Sequence, residues 1–197
     1  MKRSSFAFLL FAATMLVAAP ASHAVVLHFK THMDGPSEFP AVPSPGIGFA
    51  TVDIDTILHT MDVHADWSGL VGTTTVAHIH CCVAPDAAVP TAGVATTTPT
   101  FPGFPAGVTA GTYDASFDLT MASSFNPAFV TAHGGTVAGA EDAFIDGLLA
   151  GQAYFNIHTT FRAGGEIRGF LVPEPGIIGL LGLGLGAAFM ATRRRRG

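Results

Sequence analysis

Two neighbouring stretches decide the fold: Phe49-Ala50-Thr51-Val52-Asp53-Ile54-Asp55 and His59-Thr60-Met61-Asp62-Val63-His64-Ala65-Asp66-Trp67. In the first, Ala50, Val52 and Ile54 alternate with Thr51, Asp53 and Asp55; in the second, Met61, Val63, Ala65 and Trp67 alternate with Asp62, His64 and Asp66. A period of two sends one set to a core and the other to water, which is the pattern of half-buried strands. Asp53 and Asp55 then share a face. A solvated sheet surface accounts for them, because no D-x-D-x-D-G run offers a dedicated oxygen cage for calcium.

Working outward, Val25 to His32, Val76 to His80 and Tyr113 to Thr120 read as further strands, the last with Tyr113, Ala115, Phe117 and Leu119 on one side. Ala153 to His158 and Glu166 to Val172 form a final pair joined by a turn at Gly164-Gly165. Two short helices are expected. Asn126 caps one, with Pro127 in its first position and Gly134 closing it. The other runs from Ala138 to Ala150, with Glu141 and Asp142 near its start and Gly151 after it. Gly35 to Gly46 is loop. Pro85 to Gly111 holds five prolines and reads as a long excursion over the surface. Many short strands, few helices and frequent Gly/Pro turns predict an all-β fold, an antiparallel sandwich or barrel with one or two short helices.

Both ends of the chain differ from this middle. Lys2 and Arg3, an apolar Phe6 to Ala19 and the small-residue site Ser22-His23-Ala24 predict a Sec signal peptide over 1–24, leaving Val25 first in the mature protein. At the other end, Pro173-Glu174-Pro175 precedes a glycine-rich apolar run, Gly176 to Ala191, and then Arg193-Arg194-Arg195-Arg196. The run is at or just below the ~17–25 residues of a spanning helix, and the arginines place its end on the cytoplasmic side. The domain between is 25–172, the size of one unit with its own core. Lys30, Arg162 and Arg168 are its only Lys or Arg side chains, whereas all fourteen acids of the chain lie between Asp34 and Glu174, thirteen of them inside these bounds. So acidic a surface repels phosphate backbones and excludes nucleic acid as a partner.

The tail resembles the PEP-CTERM signal of Gram-negative bacteria. That resemblance implies recognition by exosortase, a membrane protease, with transient anchoring in the inner membrane and then release to the cell envelope, surface or extracellular matrix. A plain tail anchor is the alternative. The association of such tails with exopolysaccharide production implies a matrix partner. In the domain, Glu38-Phe39-Pro40, Ala77-His78-Ile79-His80, Gly151 to Thr159 and Gly164-Gly165-Glu166-Ile167-Arg168-Gly169 resemble the CHRD domain, named for its occurrence in chordin. The resemblance covers 25–172 and implies an immunoglobulin-like or barrel-like all-β fold. It implies little about activity. The sequence departs from the family at Cys81-Cys82 and in the Pro/Thr-rich loop that follows.

Several residues carry chemistry. His78 and His80 project from one face of a strand, and His158 on another strand can supply a third nitrogen, so zinc or copper ligation is open to them. The arrangement is similar to the copper ligands of Cu/Zn superoxide dismutase, without its zinc loop. The competing reading is a structural polar network with no ion. Glu166 and Arg168 share a face of the last strand and are expected to form a structural polar pair, with each other or with the histidines. Cys81 and Cys82 are the only cysteines, and in an oxidising compartment a vicinal disulfide is favoured over disulfides to a second molecule and over ligation of a soft metal beside His80. His133 is read as a histidine at a helix C-terminus. Trp67 is read as core, with Phe101 and Phe104 pinning the long loop. No nucleophile elbow, His-Glu-x-x-His or phosphate loop is present, so no catalytic residue is assigned. The expected function is non-enzymatic, that of an exported binding or structural protein. The alternative is a metal-binding β-barrel protein that uses His78, His80 and His158, with redox activity open to it.

Overall fold

In the computed structural model, residues 26–174 are described. The expected signal peptide, the apolar run, Pro175 and Arg193 to Arg196 lie outside the described residues. Eight strands form one continuous antiparallel sheet: β1 Val26–Asp34, β2 Ile47–Asp55, β3 Thr60–Ser68, β4 Thr74–His80, β5 Gly111–Asp118, β6 Tyr154–Thr159, β7 Ile167–Phe170 and β8 Val172–Pro173. Their spatial order is β4-β6-β7-β1-β2-β3-β5, with β8 also pairing β1. The all-β expectation holds, in the form of a single curved sheet, a half-barrel, with β4 and β5 at its two ends.

The alternation read from 49–67 sets the register. Ala50 faces Ala65, Val52 faces Val63 and Ile54 faces Met61. All six are buried, so the hairpin lays its apolar set on one face. Phe29 of β1 joins the same core, which continues through Phe155, Ile157 and Ile167 of the other strands. The last two expected strands begin a residue later than the sequence suggests, and the final one breaks at Leu171 into β7 and β8.

Helix α1 (Pro127–Ala132) starts as expected: Asn126 Oδ1 accepts the Ala128 N–H at 3.0 Å. Its C-cap is His133, and Gly134 and Gly135 follow at φ of +87° and +72°, a turn that a side chain would strain. Helix α2 (Val137–Leu149) is capped by Thr136. Glu141 and Asp142 do not act at its first turn, which holds no acid. Glu141 is instead buried, and His59 from the β2–β3 turn donates to it through Nδ1 at 2.8 Å. Apolar Ala140, Phe144 and Leu148 of α2 enter the core.

The Pro-rich excursion over 81–110 is tied down by its aromatics. Phe101 is fully buried between Tyr113, Phe117 and Phe155, and Phe104 stacks on Trp67 at 4.8 Å. Such rings each bury on the order of 150–250 Å². The loop lies over the side of β4 and β6 opposite the core. Every residue of β6 is buried, whereas β1 alternates buried and exposed along its length. A sheet wet on one face and covered on the other thus becomes, at β4, β6 and β7, a sheet covered on both.

Candidate metal centre

In β4, Ala77 and Ile79 point into the core, which leaves His78 and His80 on the covered outer face. In β6, Phe155 and Ile157 are core, so Tyr154, Asn156 and His158 share that outer face. The ladder pairs Val76 with His158, His78 with Asn156 and His80 with Tyr154. Antiparallel register therefore brings His158 onto the same face as His78 and His80, which lie about eighty residues earlier in the sequence. One ring nitrogen from each of His78, His80 and His158 lies within 4.8 Å of the others. All three residues are buried.

The remaining ring nitrogens fix the tautomers. His78 Nε2 lies 2.5 Å from the Pro99 carbonyl, His80 Nδ1 2.9 Å from that of Ala92, and His158 Nδ1 2.9 Å from that of Ala163. A carbonyl only accepts, so each of these nitrogens carries the proton and donates. His78 Nδ1, His80 Nε2 and His158 Nε2 are left as lone pairs, buried and without a partner. Burial holds all three imidazoles below their ordinary value, His80 at about 4, so they are neutral at physiological pH. A single water has two O–H donors and could satisfy two of the three lone pairs. A cation accepts all three, and neutral imidazole suits zinc and copper alike. Orientation of a ligating imidazole by a carbonyl on its far nitrogen is how protein metal sites set tautomer and ring angle.

Beside the triad lies a second polar group. Arg168 of β7 stands opposite Asn156, so the row His78–Asn156–Arg168 runs across three strands. The guanidinium donates to the carbonyls of Ser37 at 2.6 Å and Pro90 at 2.9 Å, packs over the Tyr154 ring and lies 3.6 Å from Glu38 Oε2. Tyr154 in turn stacks on His80 at 4.8 Å. Glu38 is buried, and burial raises its carboxyl to about 7 against the pull of Arg168 and the Phe39 N–H. Its Oε1 and the Oδ1 of Asn156 both lack a donor and lie together against Gly165, where any Cβ would collide with them. That glycine is therefore required by close approach as well as by its φ of +124°.

The expected Glu166–Arg168 pair does not form. Glu166 accepts from Ser44 Oγ, Val71 N–H, Gly72 N–H and Thr159 Oγ1, while Arg168 turns to Glu38 and the two loop carbonyls. The reason is distance along the strand: residues two apart stand roughly 6.6 Å from one another, and each finds nearer partners in a different loop. Burial works to raise the Glu166 carboxyl, and its four donors outweigh that and hold it low. The sequence pattern assigns no role to Glu38 or Asn156. Glu38 stands in the motif Glu38-Phe39-Pro40, but only the structure shows it folded under Arg168.

Cys81 and Cys82 are disulfide-bonded to each other immediately after β4. Their sulfurs pack on α2 at Gly147, and Cys82 Sγ lies 3.7 Å from the Ala143 carbonyl. They do not join the three histidines. The outer face of β2, β3 and β5 carries further acids in cross-strand rows. Asp53 faces Asp62, and His64 Nδ1 donates to Asp114 at 2.7 Å.

The CHRD domain matches residues 29–171, and the chain belongs to that family. A PEP-CTERM protein-sorting motif matches residues 171–196. No curated protein and no solved structure gives a significant match. The motif marks a protein that is exported, held at the membrane before processing by exosortase, and associated afterwards with the cell envelope or its exterior. Among the described residues no helix is long and apolar enough to cross a membrane; the apolar run of the motif lies outside them.

Proposed function

We propose that this exported CHRD protein is a non-enzymatic envelope or matrix component whose domain holds one zinc or copper ion through His78 Nδ1, His80 Nε2 and His158 Nε2. The observation that carries the reading is the trio of buried, unpartnered lone pairs, each opposite a nitrogen whose proton is fixed on a backbone carbonyl. Without a metal, a single bridging water leaves one of those lone pairs unsatisfied. Each such group costs about 1–3 kcal/mol. Coverage by the 81–110 loop supports a bracing role for the ion, which would tie β4 to β6 without meeting a large substrate. The test is elemental mass spectrometry on the chain purified after periplasmic expression. One equivalent of zinc or copper is expected, lost in His78→Ala and His158→Ala variants whose circular dichroism still shows a folded sheet. Absence of metal after incubation with both ions would return the histidines to a purely structural role.

A further inference from the structure

The sorting motif does not begin beyond the domain; it begins inside it. Pro173 pairs with Phe29 and Val172 with Lys30 as β8, the Glu174 N–H donates to the His28 carbonyl at 2.9 Å, and Glu174 Oε1 lies 3.0 Å from Lys30 Nζ. Pro175 alone separates this anchored residue from the apolar run that starts at Gly176. No linker of any length lets the domain float away from the membrane that holds the tail. Strand direction then says which end of the sheet faces the lipid. β8 runs antiparallel to β1, towards Val26, and Val26 pairs with Asp55, Asp55 with Thr60, and Thr60 with Asp118.

That end of the sheet presents apolar side chains to solvent. Ile57 and Leu58 form the tip of the β2–β3 turn, with Leu58 68% exposed, and Met121 and Val26 are exposed close by. The tip is built to stay out: Asp55 Oδ1 accepts both the Ile57 and the Leu58 N–H at 2.8 Å, which fixes the turn with its two side chains outward. Asp118 does the same for the neighbouring loop, accepting from Thr120, while its carbonyl takes the Met121 N–H. The opposite end also exposes Ile47, Val71 and Phe161, but the tail does not leave from there.

We propose that this end of the sheet is a lipid-contacting face, and that in the anchored precursor the Ile57-Leu58 tip enters the headgroup region of the bilayer. Two apolar side chains give weak affinity by themselves. The tail makes the contact intramolecular and raises the effective concentration to roughly the millimolar range. Asp55 and Asp118 at the base of the tips make anionic lipid a poor partner, so the surface fits a zwitterionic bilayer. His78 lies in a row that ends towards Asp34, the far end of β1, and so the histidine site points away from the membrane.

The experiment uses the full chain inserted by its own tail into phosphatidylcholine vesicles. An environment-sensitive fluorophore is placed at Leu58→Cys, and a control at Val71→Cys, both exposed positions in a protein whose own cysteines are bonded. The expected result is a blue-shifted emission at position 58, quenched by lipid-borne spin labels, and water-like emission at position 71. Replacing a third of the lipid with phosphatidylglycerol should reduce the shift at 58. Water-like, unquenched emission at both positions would overturn the proposal. So would an equal shift at 58 in the same chain in lipid-free solution, which would mean that a second copy covers the tip.

Discussion

His78 donates its Nε2 proton to the carbonyl of Pro99, a residue of the long Pro-rich loop and not of the sheet. Ala92, which holds His80 in the same way, belongs to that loop as well. Two of the three imidazoles are thus oriented by a segment whose own position depends on Phe101 and Phe104 in the core.

Phe101→Ala should therefore do two things. It removes a fully buried ring, for a loss of about 3–5 kcal/mol in denaturant unfolding. It also frees the carbonyls that set the tautomers, so zinc or copper affinity should fall about 10–100-fold in competition with a chelator. An unchanged affinity in the folded variant would show that the loop does not organise the histidines.

Glu38 makes stability depend on pH. Its folded value is raised from 4.5 to about 7, so between those values the folded protein holds a proton that the unfolded chain has lost. The stabilisation is complete below 4.5 and is lost as pH rises through about 7. Chelator-treated protein should lose on the order of 2–3 kcal/mol between about pH 4.5 and pH 8 from this group. Glu38→Gln should flatten that part of the profile in denaturation curves.

His59 works in the opposite chemical sense and the same pH direction. The hydrogen bond to Glu141, with its charge, raises the imidazole above 6.5. Its contribution is full below that value and fades once pH passes the raised one. His59→Ala should lower the melting temperature more at pH 6 than at pH 9. An equal effect at both would mean that the contact acts only through its geometry.

Glu166→Ala should be among the costlier substitutions in the domain, because it strands two N–H groups and two hydroxyls that now share one buried carboxylate. A loss of at least ~3 kcal/mol is expected in denaturant unfolding. Glu166→Gln should recover little of it, since its amide group brings another donor to a site made of donors.

Gly147→Ala should destabilise despite alanine's better helix propensity, worth ~1 kcal/mol. A Cβ at 147 would overlap both sulfurs of the Cys81–Cys82 bridge. A net loss of about 1–2 kcal/mol is expected. In a Cys81→Ala, Cys82→Ala background the same substitution should become neutral or stabilising, a coupling that a double-mutant cycle reads directly.

How far the sequence could be read depended on which faces of the sheet are wet. Where one face meets water, as in β2 and β3, alternation shows in the residues and the strand limits fall within a residue or two of 49–55 and 59–67. β6 is covered on both sides, so polar Asn156 and His158 are as buried as Phe155, and nothing in the local pattern tells a solvated face from a roofed one. The histidine spacing was visible in Ala77-His78-Ile79-His80; the carbonyls that orient the rings come from loops, and backbone atoms leave no mark on composition. Glu166 and Arg168 were legible as polar residues needing partners. Which partners they take is decided by the loops at 37–38, 44, 71–72 and 90, whose paths no periodicity encodes. Glu38 was hidden for the same reason.

β1 lies in the middle of the sheet, between β2 on one side and β7 with β8 on the other. It is the first strand of the domain to be synthesised, and two of its neighbours are the last. A chain threaded outward from its N-terminus meets this order as a delay: β2 can zip onto β1 early, but the other edge of β1 stays bare until β7 and β8 arrive. Pairing across so long a separation is intrinsically slow. The residues that complete the sheet are also those that lead into the membrane-held tail, so final closure coincides with arrest at the bilayer. The tether would then hold each half-finished molecule apart from its neighbours during the interval when an open strand edge could recruit them.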